Sequence, residues 1–377
     1  MSSTDMSKTS DNLEDARIVL FSGGTAMNPT ARRLKQYTTG TLHLLPPFDS
    51  GGSSAELRKH WPIAAVGDLR SRLLALADET RPCAAARAAL LARRLPEVLA
   101  EDIAADAVLS AWLDEASTLG DDDNWSWLCA QLASLIATLP GSFERAGASF
   151  GNLMLAAAMV RGGETLPGAS DRLAQALQAR GQAHAVVDTN LHLGARLADG
   201  RILIGQHQLT GKEHAPVSSR IVDTWLNQGL DHKQAGHCTI SESLASAIRG
   251  AALIVYGPGS FHSSLMAQLL PQGVCTAIAQ SRARKVYVPN LGHDPELFDC
   301  PPAQALESLL TRLRHNQPDA ADVLDTLLID PSQRPHFAAA EGCVSTPLAT
   351  PNGRAHDPDA LARALLNLLP SERTSRL

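Results

Sequence analysis

Aromatic side chains make up only 4% of the 377 residues, so the stacking platforms that grip single-stranded nucleic acid are scarce. No run of lysine and arginine appears and the formal net charge is −6. Both argue against a nucleic-acid partner. No apolar run approaches the ~18 residues of a membrane span. Met1 to about Asp15 is polar and lacks the apolar core of a secretory leader. A disordered tail over 1–15 on a cytoplasmic protein, with no membrane partner, is therefore expected. The six cysteines, Cys83, Cys129, Cys238, Cys275, Cys300 and Cys343, form no C-x-x-C pair and match no zinc spacing. They read as small buried or half-buried thiols in a reducing compartment. The full G-x-G-x-x-G dinucleotide fingerprint, the Gly-Lys-Ser/Thr of a phosphate-binding P-loop and the G-x-S-x-G nucleophile elbow are absent too.

What is present is a large apolar fraction, 44%, arranged as short apolar runs alternating with helical patterns. Arg17 to Phe21, Leu42 to Leu45, Ala185 to Asp188, Ala252 to Tyr256 and Lys285 to Val288 read as strands. Asp199-Gly200 between Leu191–Leu197 and Arg201–Gly205 reads as a hairpin turn. Strand and helix in alternation imply parallel strands joined by right-handed crossovers. The stretch from about Arg81 to Leu139 breaks the alternation. It is rich in Ala, Leu, Arg and Glu with helical periodicity, and it reads as inserted helices serving as a lid, a homodimer surface or a cap over the core. The expected architecture is α/β, a Rossmann-like and mainly parallel sheet over 16–300 with a helical subdomain at about 81–139. Residues 301–377 read as a C-terminal helical extension packed on the same domain, with a loop from Pro331 to Pro358.

The chemistry sits at strand ends. A buried strand that runs into glycine and then opens a helix leaves backbone N–H groups at a positive dipole end, which favours anions. Gly23-Gly24-Thr25 follows the first strand and reads either as such a cradle or as a plain tight turn. Asp49-Ser50-Gly51-Gly52-Ser53-Ser54 follows the second strand. Its N–H groups and hydroxyls suit phosphate oxygens, while Asp49 reads as a metal ligand, as the group that orients a hydroxyl nucleophile, or as a helix cap. Arg58, a turn beyond Ser54, reads as a phosphate contact or a surface arginine. Asn152, at the start of another helix behind Ser149 and Gly151, can donate and accept at once. Gly257-Pro258-Gly259-Ser260 combines a rigid proline with two flexible glycines before a helix that carries His262. His192, His207, His214, His232 and His237 follow no metal-binding spacing.

Taken together, Gly23-Gly24-Thr25, Asp49 to Ser54 with Leu57-Arg58, Gly151-Asn152-Leu153, and Gly257 to Ser260 with Ser263-Ser264-Leu265 resemble the 2-phospho-L-lactate transferase / gluconeogenesis-factor (CofD/YvcK-like) family. Val286 to Asn290 resembles a further strand of that family. The resemblance implies a Rossmann-like fold and one of two activities. The transferase branch moves a phospholactyl group from a guanosine diphosphate carrier to a deazaflavin hydroxyl with Mg²⁺ assisting, and the regulator branch binds UDP-sugars. By the same resemblance Gly23, Gly24 and Thr25, and Gly257 to Ser260, would line one nucleotide's phosphates, with Asp49 near metal or acceptor. The chain departs from the family pattern at Ala26, where glycine is common, at Ser50, where a second acid is common, at Ala55, another frequent glycine, and in its long helical segment.

The expectation is a transferase-like protein that binds a nucleoside-diphosphate-linked metabolite, with Asp49 as catalytic residue and metal ligand. The nucleotide and phosphate contacts would be Gly23, Gly24, Thr25, Gly51, Gly52, Ser53, Ser54, Asn152, Gly257, Gly259 and Ser260. The alternatives are a non-catalytic nucleotide-sugar sensor and, with less support, a nicotinamide-dependent oxidoreductase.

Overall fold

The computed structural model describes residues 17–98, 104–315, 322–338 and 340–370. The expected tail over 1–15 lies outside them. Its centre is a seven-stranded sheet, parallel throughout. In chain order the elements are β1 (Ile18–Phe21), α1 (Asn28–Tyr37), β2 (Thr41–Leu45), α2 (Gly52–His60) and α3 (Gly67–Leu76). A helical block follows with α4 (Pro82–Leu91), α5 (Ala105–Ser117) and α6 (Asp123–Ile136), then α7 (Phe150–Val160) and α8 (Leu166–Ala176). The chain returns to the sheet as β3 (Gln182–Ala185), then leaves it for a three-stranded antiparallel sheet made of β4 (His192–Leu197), β5 (Ile202–Ile204) and β6 (Ile221–Asn227). It finishes with α9 (Glu242–Gly250), β7 (Leu253–Tyr256), a π-helical turn (Phe261–Met266), α10 (Val274–Gln280), β8 (Arg284–Tyr287), α11 (Pro302–Leu313), β9 (Thr326–Ile329), β10 (Cys343–Ser345) and α12 (Pro358–Asn367). The main sheet runs β10-β9-β8-β7-β1-β2-β3.

Strand periodicity explains the layers. In β1, Val19 and Phe21 point into one apolar cluster, with the small sheet, α9, α10 and α11. Ile18 and Leu20 point into the opposite one, with α1 and α12. Alternate residues of a strand face opposite sides, so a strand buried on both faces must be apolar throughout. The helical block is continuous with the frame. Trp125, Leu128 and Leu132 of α6 share a cluster with Leu73 of α3, Leu153 of α7, and Leu45 and Ala183 of the sheet.

Several elements differ from the sequence expectation. β3 begins at Gln182, three residues before the apolar peak at Ala185, because pairing with β2 starts at Leu42↔Gln182. β6 went unread. The C-terminal segment is not helical throughout, since β9 and β10 add two parallel strands to the sheet. Thr326-Leu327-Leu328-Ile329 is a four-residue run flanked by acids, and only burial between layers decides such a run for strand. The expected helix from Phe261 opens as a π turn, with Leu265 N–H reaching back five residues to the Ser260 carbonyl. Among the described residues no helix is long and apolar enough to cross a membrane.

Candidate functional site

The sheet reverses direction at β1. Successive crossovers place β2 on one side of it and β7 on the other. In open α/β sheets ligands bind beyond the carboxyl ends of the strands at such a switch point. The loops leaving β1, β2 and β7 all emerge there.

The loop after β1 is held from beneath by Arg72 of α3, which is fully buried. Its guanidinium donates to the Gly23 carbonyl (2.8 Å), Asn28 Oδ1 (2.8 Å), His43 Nδ1 (2.7 Å) and the Ser22 hydroxyl (3.3 Å). Because His43 Nδ1 accepts, its proton sits on Nε2. Burial, then the Arg72 charge, pushes this imidazole well below its usual range, so it is neutral.

The loop after β2 is built around Asp49. Oδ1 accepts the Gly51 N–H at 3.1 Å, and the Ser54 hydroxyl also bonds the carboxylate. Gly52 takes φ 46°, a left-handed conformation that lets α2 start directly off the turn. Arg58 is half-buried and not a surface group. It donates to the Asp49 carbonyl (2.7 Å), the Leu191 carbonyl (2.7 Å) and Asn190 Oδ1, pinning the loop from behind.

A second acid, not singled out in the sequence, completes the pair. Asp68 in the first turn of α3 bonds the Gly24 N–H, and it shares a cleft of about 260 Å³ with Thr25, Asp49, Gly51 to Ser54, Arg70 and Asn152. A Cβ on Gly67 in the cleft wall would stand 2.8 Å from Ser54 Oγ, 3.5 Å from Asp49 Oδ2 and 3.7 Å from Asn152 Nδ2. Asp49 is raised from its ordinary range, chiefly by burial. Asp68 is raised to about 6 by burial and then by the Asp49 charge. The Asp49 charge thus disfavours ionisation of Asp68.

Other cleft residues were not in the expected set. Arg70 donates to Asn152 Oδ1 at 3.1 Å, so Asn152 is oriented with its amide nitrogen available toward the cleft. Arg94, Lys212 and His207 line the same space. His207 Nδ1 lies 2.7 Å from the Ser50 hydroxyl, and burial lowers its pKa. Ser50, where the family pattern favours an acid, thus anchors the segment 206–213 to the β2 loop. The Glu213 carboxylate accepts the Gly52 N–H at 2.8 Å. The Ser53 hydroxyl accepts the Ser149 N–H at 3.1 Å. Gly151 serves packing, since a Cβ there would meet the Leu91 carbonyl of α4 at 2.6 Å.

Gly257, Gly259 and Ser260 are on the same sheet edge but not in this cleft. Gly259 and Ser260 line a neighbouring cleft of about 310 Å³ with Ala26, Pro29 and His356. Gly257 and Gly259 also border an apolar recess with Tyr287 and Leu297. The Gly23–Ala26 loop is the wall between the two clefts, with Thr25 facing one and Ala26 the other. Four of the N–H groups after Gly257 are already engaged. Gly259 N–H donates to Asn290 Oδ1, Phe261 N–H to Asp294, and both His262 and Ser263 N–H to Glu296, each at 2.8 Å. Burial and Asp294 raise Glu296 to about 7. The helix end read as a phosphate seat therefore carries the chain's own carboxylates. His262 faces a separate cavity between β6 and α11, away from Asp49.

The model of the family described as 2-phospho-L-lactate transferase CofD matches residues 18–348. The chain belongs to the CofD family. Among its relatives, a gluconeogenesis factor of Halalkalibacterium halodurans is 28% identical over 74% of this chain and 68% of its own length. The gluconeogenesis factor of Bacillus subtilis is 25% identical over 85% and 80%. A crystal structure of a UPF0052-family protein from Bacillus halodurans superposes with a TM-score of 0.65 at 21% identity, covering 93% of this chain and 98% of that one. That likeness establishes the α/β Rossmann-like fold. Family membership extends across both glycine loops and the helical block, so the block is part of a CofD-family chain.

Among the described residues no group of three or more His, Cys, Asp or Glu is placed to hold a metal. Asp49 and Asp68 are two carboxylates in one cleft. That donor set suits Mg²⁺ shared with ligand phosphates, which typically needs one or two protein carboxylates, and not an all-protein cage.

Proposed function

We propose that the Asp49–Asp68 cleft binds the diphosphate of a nucleoside-diphosphate-linked metabolite and, with an acceptor alcohol present, transfers the phospho-linked group to it. The observation that carries this reading is the convergence of Thr25, the Gly51–Ser54 helix start, Arg70 and two half-buried acids at the switch point of the sheet. Thr25 and the first turn of α2 would contact phosphate oxygens, and Arg70 and Lys212 would offset their charge. Asn152, held by Arg70, would orient the acceptor or a phosphate oxygen. Mg²⁺ held by Asp49 and Asp68 would neutralise the diphosphate. The acceptor oxygen bonds to phosphorus, the bond from that phosphorus to the nucleotide breaks, and the hydroxyl proton passes to the Asp49 carboxylate. Rate would come mainly from positioning and charge stabilisation.

A second reading is a cleft that binds a nucleotide sugar without turnover and reports it to a partner; the relatives named gluconeogenesis factor carry no reaction in their name, which leaves room for it. Calorimetry with GDP, UDP and UDP-sugars, with and without Mg²⁺, tests the shared part. Binding that Mg²⁺ strengthens and Asp68→Asn weakens is expected, and no heat at millimolar ligand would overturn both readings. Incubation of a bound donor with candidate alcohols separates them. Turnover that Asp49→Asn abolishes supports the transferase, and binding without turnover supports the sensor.

A further inference from the structure

The segment 206–213 belongs to the connection from β5 to β6 and lines the cleft as a strap. Its first half is fixed by the Ser50–His207 hydrogen bond and by the His207 N–H, which donates to the same hydroxyl at 3.4 Å. Its second half follows Gly211, which takes φ 67°, and ends on Glu213. The Glu213 carboxylate accepts from Gly52, a backbone N–H at the start of the nine-residue helix α2 and inside the cleft assigned above to phosphate. Glu213 also lies so close to Gly51 that a Cβ there would fall on its carboxylate.

We propose that Glu213 is an internal anion that competes with the ligand, holding the Gly52 N–H until a ligand phosphate displaces it. This inference rests on the reading of the cleft as a diphosphate site. The contact is formed to be given up. Glu213 is exposed, so its carboxylate returns to water when released, and an exposed charge at a helix N-terminus is held only weakly. The strap stays attached through His207 while Gly211 supplies the backbone freedom beyond it. Lys212, one residue before Glu213, lines the same cleft. Displacement of Glu213 leaves that ammonium group beside the incoming phosphate and removes a like charge from it. The strap would thus act as a selectivity element, since only ligands with enough negative charge at the α2 end replace a carboxylate already there.

The test is calorimetric titration of the full chain with UDP and GDP in Mg²⁺, comparing the unaltered protein with Glu213→Ala and Glu213→Gln. Both variants change an exposed side chain, and circular dichroism confirms that they fold. If Glu213 competes, both bind the diphosphate about three- to tenfold tighter, the range set by a weak helix-terminus contact plus relief of like-charge repulsion. Uncharged ligands such as uridine gain nothing. Equal or weaker diphosphate binding by the variants, with the unaltered chain still binding, overturns the role of Glu213 and leaves the cleft assignment standing. Absence of binding by all three chains overturns the cleft assignment itself, and the inference with it.

Discussion

Asp68→Asn is expected to make the protein more stable above neutrality while weakening its cleft. Asp68 is raised from 3.8 to about 6, first by burial and then by the Asp49 charge. In the unfolded chain the group ionises near its ordinary value. Between about 4 and 6 the folded protein therefore keeps a proton that the unfolded chain has released, and stability falls as pH rises. Above about 6 both states are ionised and the loss is constant. At roughly 1.36 kcal/mol per pH unit, moving from 3.8 to about 6 corresponds to about 3 kcal/mol. The carboxylate is partly open to the cleft, so solvent screening brings the observable gain to about 1–2 kcal/mol. Asparagine matches the protonated acid in shape and keeps an oxygen for the Gly24 N–H. Urea unfolding of both proteins at pH 4, 6 and 8 is the assay. The midpoints should coincide at pH 4 and separate by pH 8 in favour of Asp68→Asn, with unchanged slopes. A variant less stable than the parent at pH 8, or a difference that does not change with pH, would refute the claim that Asp68 is held ionised against its environment. The same variant should lose the Mg²⁺-dependent part of nucleotide binding, because groups tuned for ligands commonly cost the fold stability.

Three other perturbations test the supporting structure. Arg72→Met removes one guanidinium that serves Ser22, Gly23, Asn28 and His43; with several buried acceptors left unmade at ~1–3 kcal/mol each, a loss of about 3–5 kcal/mol in urea unfolding is expected. Glu296→Ala strands the His262 and Ser263 N–H groups and the Ser263 hydroxyl, so a loss of about 2–4 kcal/mol is expected, with Glu296→Gln losing less than half of that because it still accepts. Gly24→Ala puts a Cβ 2.8 Å from the Asp68 Cα, an overpacking expected to cost about 1–3 kcal/mol and to weaken nucleotide affinity by moving Asp68, which thermal unfolding and calorimetry together would show.

The parts legible in the sequence were those with local causes. Apolar runs ending in glycine gave the exits of β1, β2 and β7, and Asp199-Gly200 marked the β4–β5 hairpin, because strand pattern and turn chemistry act over a few residues. The strands β6, β9 and β10 were invisible for the opposite reason. Thr326–Ile329 becomes a strand only because β8 lies beside it. The candidate site divided the same way. Asp49 and Asn152 stood out beside their glycines. Asp68 did not, although a Gly-Asp pair opening a helix just after the second loop was a usable signal. His207 and Glu213 are more than 150 residues from the loop they touch, and no local pattern carries such a meeting. The carboxylates that the Phe261 and His262 N–H groups meet, Asp294 and Glu296, stand over thirty residues on, and no local pattern at the second glycine loop announces them.

The self-filled end of the π turn has a mechanical consequence. Asp294 and Glu296 belong to the stretch that follows β8, whereas the groups they grasp follow β7. The two exits are therefore clasped together and move as one piece, along with the rim they share. The opposite bank is fastened differently: there the segment ending in Glu213 meets the β2 loop through the half-buried His207 and the exposed Glu213.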